Sequence, residues 1–214
     1  MSIPRSRRSA ASQTLASATA LRHDGAEANG RLTAATGAIL VVLLAVEGVT
    51  ILQVRRLIVL HIFLGVLLIP LVLLKVASTV WRAARYYLWS AAYRQKGPPP
   101  LALRLLGPLV IVLTVTLLAS GIALLYVPTS LRVPMLTLHR ASFLLWFGVM
   151  TVHVLAHVLD TASLAPRDFL SRTRGQVGGA TARQWALVTS IALGLILGVL
   201  ITRSAGTWLH PFPR

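Results

Sequence analysis

Residues 60–75, LHIFLGVLLIPLVLLK, and residues 138–157, LHRASFLLWFGVMTVHVLAH, decide how this chain is read. Each is an apolar stretch in which one polar residue is followed by another 14 positions later: His61 and Lys75 in the first, His139 and His153 in the second. In an α-helix, 14 residues complete about 3.9 turns and rise roughly 21 Å. Both members of each pair therefore share nearly one face and lie toward opposite sides of a hydrocarbon layer about 30 Å thick. Polar groups at that depth are costly and are usually functional.

Further apolar runs of spanning length lie on either side. Together they cover about 32–54, 57–81, 104–127, 136–159 and 184–203. The expected fold is an all-α polytopic membrane bundle of five transmembrane helices. Composition agrees: 56% of residues are hydrophobic, only 12% are charged, and the mean hydropathy is +0.75, unlike a soluble domain. The net charge of +16 would suit nucleic acid. However, the arginines flank apolar spans instead of forming one basic face, which argues against that partner. With no cysteine, disulfides, iron–sulfur clusters, covalent c-type haem and thiolate metal sites are excluded.

The first thirty residues are rich in Ser, Ala and Arg and lack a signal-peptide apolar core. They are expected to form a disordered cytoplasmic tail over 1–30, with His23 solvated, ahead of a bundle over 31–204 and a short external tail over 205–214 that holds a solvated His210. Arg55 and Arg56 mark a tight hairpin between the first two spans. The aromatic and basic stretch 81–100 supplies interfacial belt residues Trp81, Tyr86, Tyr87, Trp89 and Tyr93 before a proline stop. Pro128 and Pro134 bracket the third connection, and Pro70 is expected to kink span two. Fourteen of the 21 lysines and arginines fall in the N-terminal tail and the loops after spans two and four. That bias predicts a bacterial-type inner membrane protein with a cytoplasmic N-terminus and an external C-terminus.

In this topology spans two and four run in the same direction. His61 and His139 then share one depth, Lys75 and His153 the other, and His157 follows His153 one turn on. A flat macrocycle clamped between His61 and His139 would receive two axial imidazoles, the ligand set of low-spin haem electron carriers. The two quoted motifs resemble the membrane b-type cytochromes, particularly the cytochrome b561, hydrogenase cytochrome b and ferric-reductase-like group, over roughly 57–160. That resemblance implies haem b held by His61 and His139 near one leaflet and a second haem at His153 near the other. It also makes Gly65 the small residue that lets a porphyrin approach the backbone. Lys75 stands where the group places a fourth ligand. Either the inner haem is absent, or His153 or His157 holds it with a weaker sixth ligand, or Lys75 itself ligates or snorkels to pair with a propionate.

Other residues have sharper and plainer readings. Arg140, with Arg55 and Arg56 on the same membrane face, suits haem propionates; all three also serve as interfacial topology signals. Glu47 is the only acid inside a span. It suits a hydrogen bond from a ligand histidine or a proton-relay role. Gly48, Gly65, Gly121 and Gly148 fit close helix packing, and Trp146 and Phe147 fit core packing. His153 and His157 could share zinc or copper, with Asp160 nearby. The expected function is transmembrane electron transfer in a redox complex, as a possible oxidoreductase subunit, with a partner subunit or quinone and the lipid bilayer as partners. The alternatives are a non-haem scaffold or assembly subunit and a small proton-coupled transporter using Glu47, Lys75 and the histidines.

Overall fold

The computed structural model describes residues 5–88 and 101–203, with side chains from residue 25 onward except at 103. Trp89, Tyr93, the proline run 98–100, His210 and the 205–214 tail lie outside the described residues, as does the side chain of His23. The described chain is all α-helical apart from a 3-10 turn and short connections. Its long helices are α1 (Arg5–Leu52), α2 (Val54–Tyr87), α3 (Leu101–Tyr126), α4 (Thr129–Leu164) and α5 (Ala180–Thr202). Five segments are long and apolar enough to cross a membrane: Gly25–Leu52, Val54–Tyr87, Arg104–Tyr126, Thr129–Asp168 and Ala180–Thr202. Large apolar side chains such as Leu144, Leu155 and Val42 point outward, each more than 60% exposed. Such a surface suits hydrocarbon rather than water.

Several boundaries differ from expectation. Helix α1 reaches back past residue 30, so Glu27 and Asn29, expected in a disordered tail, are helical and engaged. Asn29 donates to the Ser78 carbonyl at 3.0 Å, and Glu27 pairs with Arg31 one turn on at 2.8 Å. The hairpin turns at Gln53, which leaves Arg55 and Arg56 in the first turn of α2. Pro134 lies inside α4 rather than in the loop before it. Pro70 is buried within a continuous α2, whose dihedrals leave the helical range at Leu57 instead (φ −107°, ψ 18°).

The bundle has two parts. Helices α1, α2 and α5 pack around Leu40, Leu67, Leu68 and Leu71; α3 and α4 pack as a pair, and the parts meet mainly where α1 touches α4 and α2 touches α3. Helices α2 and α4, which carry the histidines, do not share an extensive packing interface. Two glycines set the α2–α5 approach. A Cβ on Gly194 would stand 2.5 Å from the Leu67 carbonyl oxygen, and one on Gly198 would stand 2.8 Å from the Phe63 ring. Backbone cannot yield as a flexible side chain can, so Gly194 is the stricter of the two.

An ionic clamp closes the end of the bundle away from His61. Between α4 and α5 the chain forms a 3-10 turn, Ala165–Asp168, and a one-turn helix, Ser171–Arg174. Asp168 accepts from Arg183 Nε and Nη2 at 2.5 and 2.7 Å and from Arg31 Nη1 at 3.3 Å. The Arg31 side chain is fully buried and also donates to the Thr173 carbonyl at 2.8 Å. Arg183 Nη1 donates to the Gly178 carbonyl at 2.7 Å, just before Gly179 takes the left-handed conformation (φ 79°) that leads into α5. One carboxylate thus joins α1, the α4–α5 connection and α5.

Gly194→Ala should force α5 off α2 and cost about 1–3 kcal/mol. Gly48→Ala, which meets nothing within 4 Å, should be nearly neutral. Thermal unfolding in detergent separates them, and equal midpoints would refute the close approach. Asp168→Asn should cost about 3–5 kcal/mol by leaving the buried Arg183 guanidinium without its counter-charge and Arg31 with Glu27 alone. Glu27→Gln, at a carboxylate 42% exposed, should cost less than about 1 kcal/mol. An Asp168→Asn protein as stable as the parent would show that the clamp does not hold the bundle.

Candidate functional site

Elements α1, α2, α3 and α4 bring a polar cluster together at the His61 end. Imidazole Nδ1 of His61 lies 2.8 Å from Glu47 Oε1 and 3.1 Å from Thr50 Oγ1. Thr50 is one turn beyond Glu47 on α1 and its hydroxyl donates to the Glu47 carbonyl at 2.6 Å. Glu47 is 9% exposed and Thr50 1%, so the carboxylate has little water to turn to. A proton on Nδ1 makes the bond to Glu47 and leaves the lone pair on Nε2.

His139 is held in the same way by different groups. Its Nδ1 lies 3.2 Å from the Leu117 carbonyl oxygen and 3.0 Å from Ser120 Oγ, while Ser120 itself bonds to Leu117 O at 3.0 Å. A carbonyl only accepts, so Nδ1 carries the proton and Nε2 again carries the lone pair. Gly121 makes this position available: a Cβ there would stand 3.1 Å from His139 Cε1.

The two rings face one another across the seam between the halves of the bundle. Their centroids are 6.4 Å apart and their planes cross at 80°. Among the described residues neither Nε2 has a hydrogen-bond partner. Two imidazoles on opposite sides of one metal, each at a bond length of about 2.0 Å, have ring centres roughly 6 Å apart. Fixing Nδ1 with a carboxylate or carbonyl is also how proteins orient metal-ligating histidines. The ring separation is therefore compatible with two imidazoles on one metal ion.

The second level is built differently. His153 and His157 lie on successive turns of α4, ring centroids 4.9 Å apart. Both lie within electrostatic range of Lys75. Lys75 turns to α1: its Nζ donates to the Thr33 carbonyl at 2.6 Å. Gly37 leaves space for it, since a Cβ there would stand 2.7 Å from Nζ. Beyond Lys75, Thr33 bonds to Ser78 at 2.9 Å. Between the levels Trp146 is buried and donates to Thr114 Oγ1 at 2.9 Å, whereas Phe147 is 59% exposed.

Among the described residues no three His, Cys, Asp or Glu side chains gather to hold a metal ion by themselves. His61 and His139 form one group, and His153 belongs to the other. Arg140, beside His139, is exposed, as are Arg55 and Arg56. Gly65 lies beside Glu47, 3.8 Å from Oε1 to a Cβ placed there, while Gly48 and Gly148 have open space around them. Thr50 and the Leu117 carbonyl were not indicated by the sequence, and Ser120 stood out there only as a small residue beside Gly121; the three-residue step from Glu47 to Thr50 marks a shared helix face. Compared with models of known protein families, with curated proteins and with solved structures, the chain finds no match in any of the three.

Proposed function

We propose that this chain is a b-type membrane cytochrome that carries electrons through the bilayer, with one haem held by His61 and His139. The observation that carries the reading is the matched imidazole pair: 6.4 Å between ring centres, with both Nδ1 atoms anchored and both Nε2 atoms unengaged. Bound there, haem b would supply one-electron redox chemistry. Glu47 and Thr50 orient the His61 ring and hold its Nδ1 proton in place. Leu117 and Ser120 do the same for His139. Gly121 gives the His139 ring its room.

A second haem near His153 remains part of the proposal in weaker form, because Lys75 is already bonded to Thr33 and is not free to serve as the opposite ligand in this arrangement. Arg140 is suited to a propionate of the first haem. The distribution of lysine and arginine supports a cytoplasmic N-terminus and an external C-terminus in a bacterial-type membrane. A partner redox subunit or a quinone would deliver the electrons, and the chain would act as an oxidoreductase subunit.

A reduced-minus-oxidised spectrum of the purified protein should show a b-type band, with haem counted as pyridine haemochrome. His61→Ala and His139→Ala should each abolish the band from this site. Gly121→Val should diminish it by displacing the His139 ring. Glu47→Gln should weaken haem retention by about 10–100-fold. A count of one confines haem to the His61–His139 pair; two extends it to the His153 level. Colourless protein from haem-replete cells would overturn the reading and leave Glu47, Lys75 and the histidines as packing or proton-relay groups.

A further inference from the structure

On the outer surface of the α1–α2–α5 part, where α2 begins and α5 ends, lies a groove of about 590 Å³. Its floor and walls are apolar, formed by Leu57, Leu60 and Phe63 of α2 and Val199 of α5. Two arginines stand at its edge, Arg56 from α2 and Arg203 from just beyond α5. Neither takes part in an ion pair among the described residues.

Two cations from separate helices over an apolar channel, in a bilayer-spanning chain, call for a ligand with one anionic group and a hydrocarbon tail. We infer that the groove binds one anionic phospholipid of the surrounding membrane, its phosphate between Arg56 and Arg203 and an acyl chain along Leu60, Phe63 and Val199. Arginine's fork matches phosphate oxygens, and basic side chains at a membrane surface attract anionic headgroups. Other occupants fit less well. A neutral quinone leaves both charges uncompensated. A second copy of this chain brings another net charge of +16. The stretch 204–214 contains no acidic side chain. The inference does not depend on haem, because Arg56 and Arg203 serve the groove whether or not the histidines hold a cofactor.

The test is native mass spectrometry of the full chain released from bilayers that contain phosphatidylglycerol and phosphatidylcholine with the same acyl chains. One phosphatidylglycerol per chain should be retained in preference to phosphatidylcholine. Arg56→Gln or Arg203→Gln should each lower that preference roughly fivefold, and the double variant roughly 25-fold. Arg55→Gln, at the same end but not lining the groove, should leave it unchanged. Val199→Trp, which fills the groove and spares both arginines, should also abolish retention. Circular dichroism identifies variants that fail to fold, and the exposed arginine positions keep the test available if Val199→Trp does. Equal retention of the two lipids, retention indifferent to the double variant or to a folded Val199→Trp, or displacement of the lipid by millimolar inorganic phosphate would overturn the inference.

Discussion

Carboxylates are scarce in this molecule, and the two most buried ones organise its two ends. The chain has five acidic side chains against 21 lysines and arginines. In a low-dielectric interior a carboxylate that lacks a partner is untenable, so a buried one recruits whatever donors surround it. Asp168 gathers Arg31 and Arg183, which fixes the base of α1 to the base of α5. Glu47 pairs with His61, which ties α2 to α1 at that level and holds one face of the imidazole in place. The first arrangement holds the helices; the second aims a ligand. Both follow from the need to satisfy a negative group in a dry place.

The seam gives that aim its consequence. The most extensive helix packing joins α2 to α1 and α5, and α4 to α3, whereas α2 and α4 share no extensive interface. The histidines therefore approach each other where the two parts of the bundle meet. Under the proposed reading, a haem between them would bridge the halves of the fold, and its binding free energy would add to the stability of the bundle because it is bound by the native state alone. An oxygen acceptor already holds Nδ1 of each imidazole. Each ring is already oriented, so little rotamer freedom remains to be lost on ligation.

Much of this architecture could be read from the residues in order. Apolar run length determines where helices cross a bilayer, and the five spans appear close to where length and hydropathy put them. The His61–His139 meeting was legible because helical rise turns equal spacing into equal depth. What was not legible depends on partners distant in sequence. Arg31 meets Asp168 across 137 positions, and no local pattern links them. Gly194 and Gly198 look like ordinary small residues until Leu67 and Phe63 are found against them. The direction of Lys75 was equally hidden: a four-carbon stem can reach a ligand, an interface or a neighbouring carbonyl, and the gap left by Gly37 on α1 decides among these. Glu27 and Asn29 were misread because their composition is polar, whereas helix α1 and the donors around them supply the order that composition does not.

The contrast between the two levels bears directly on how many cofactors this bundle can hold. At the His61 level each imidazole comes from a different helix, and each has its Nδ1 held by an oxygen acceptor. At the His153 level both imidazoles come from α4, one turn apart, and the opposing residue on α2 has its nitrogen committed to Thr33. Two side chains on successive turns of one helix cannot flank a flat macrocycle from opposite faces, since both project from the same side of it. A centre at that level that took Lys75 as its second ligand would need Lys75 to leave the Thr33 carbonyl, and the cost of breaking that hydrogen bond falls on the complex. The first site asks for no such rearrangement. This difference in preorganisation, rather than the count of histidines, makes the His61–His139 pair the stronger candidate.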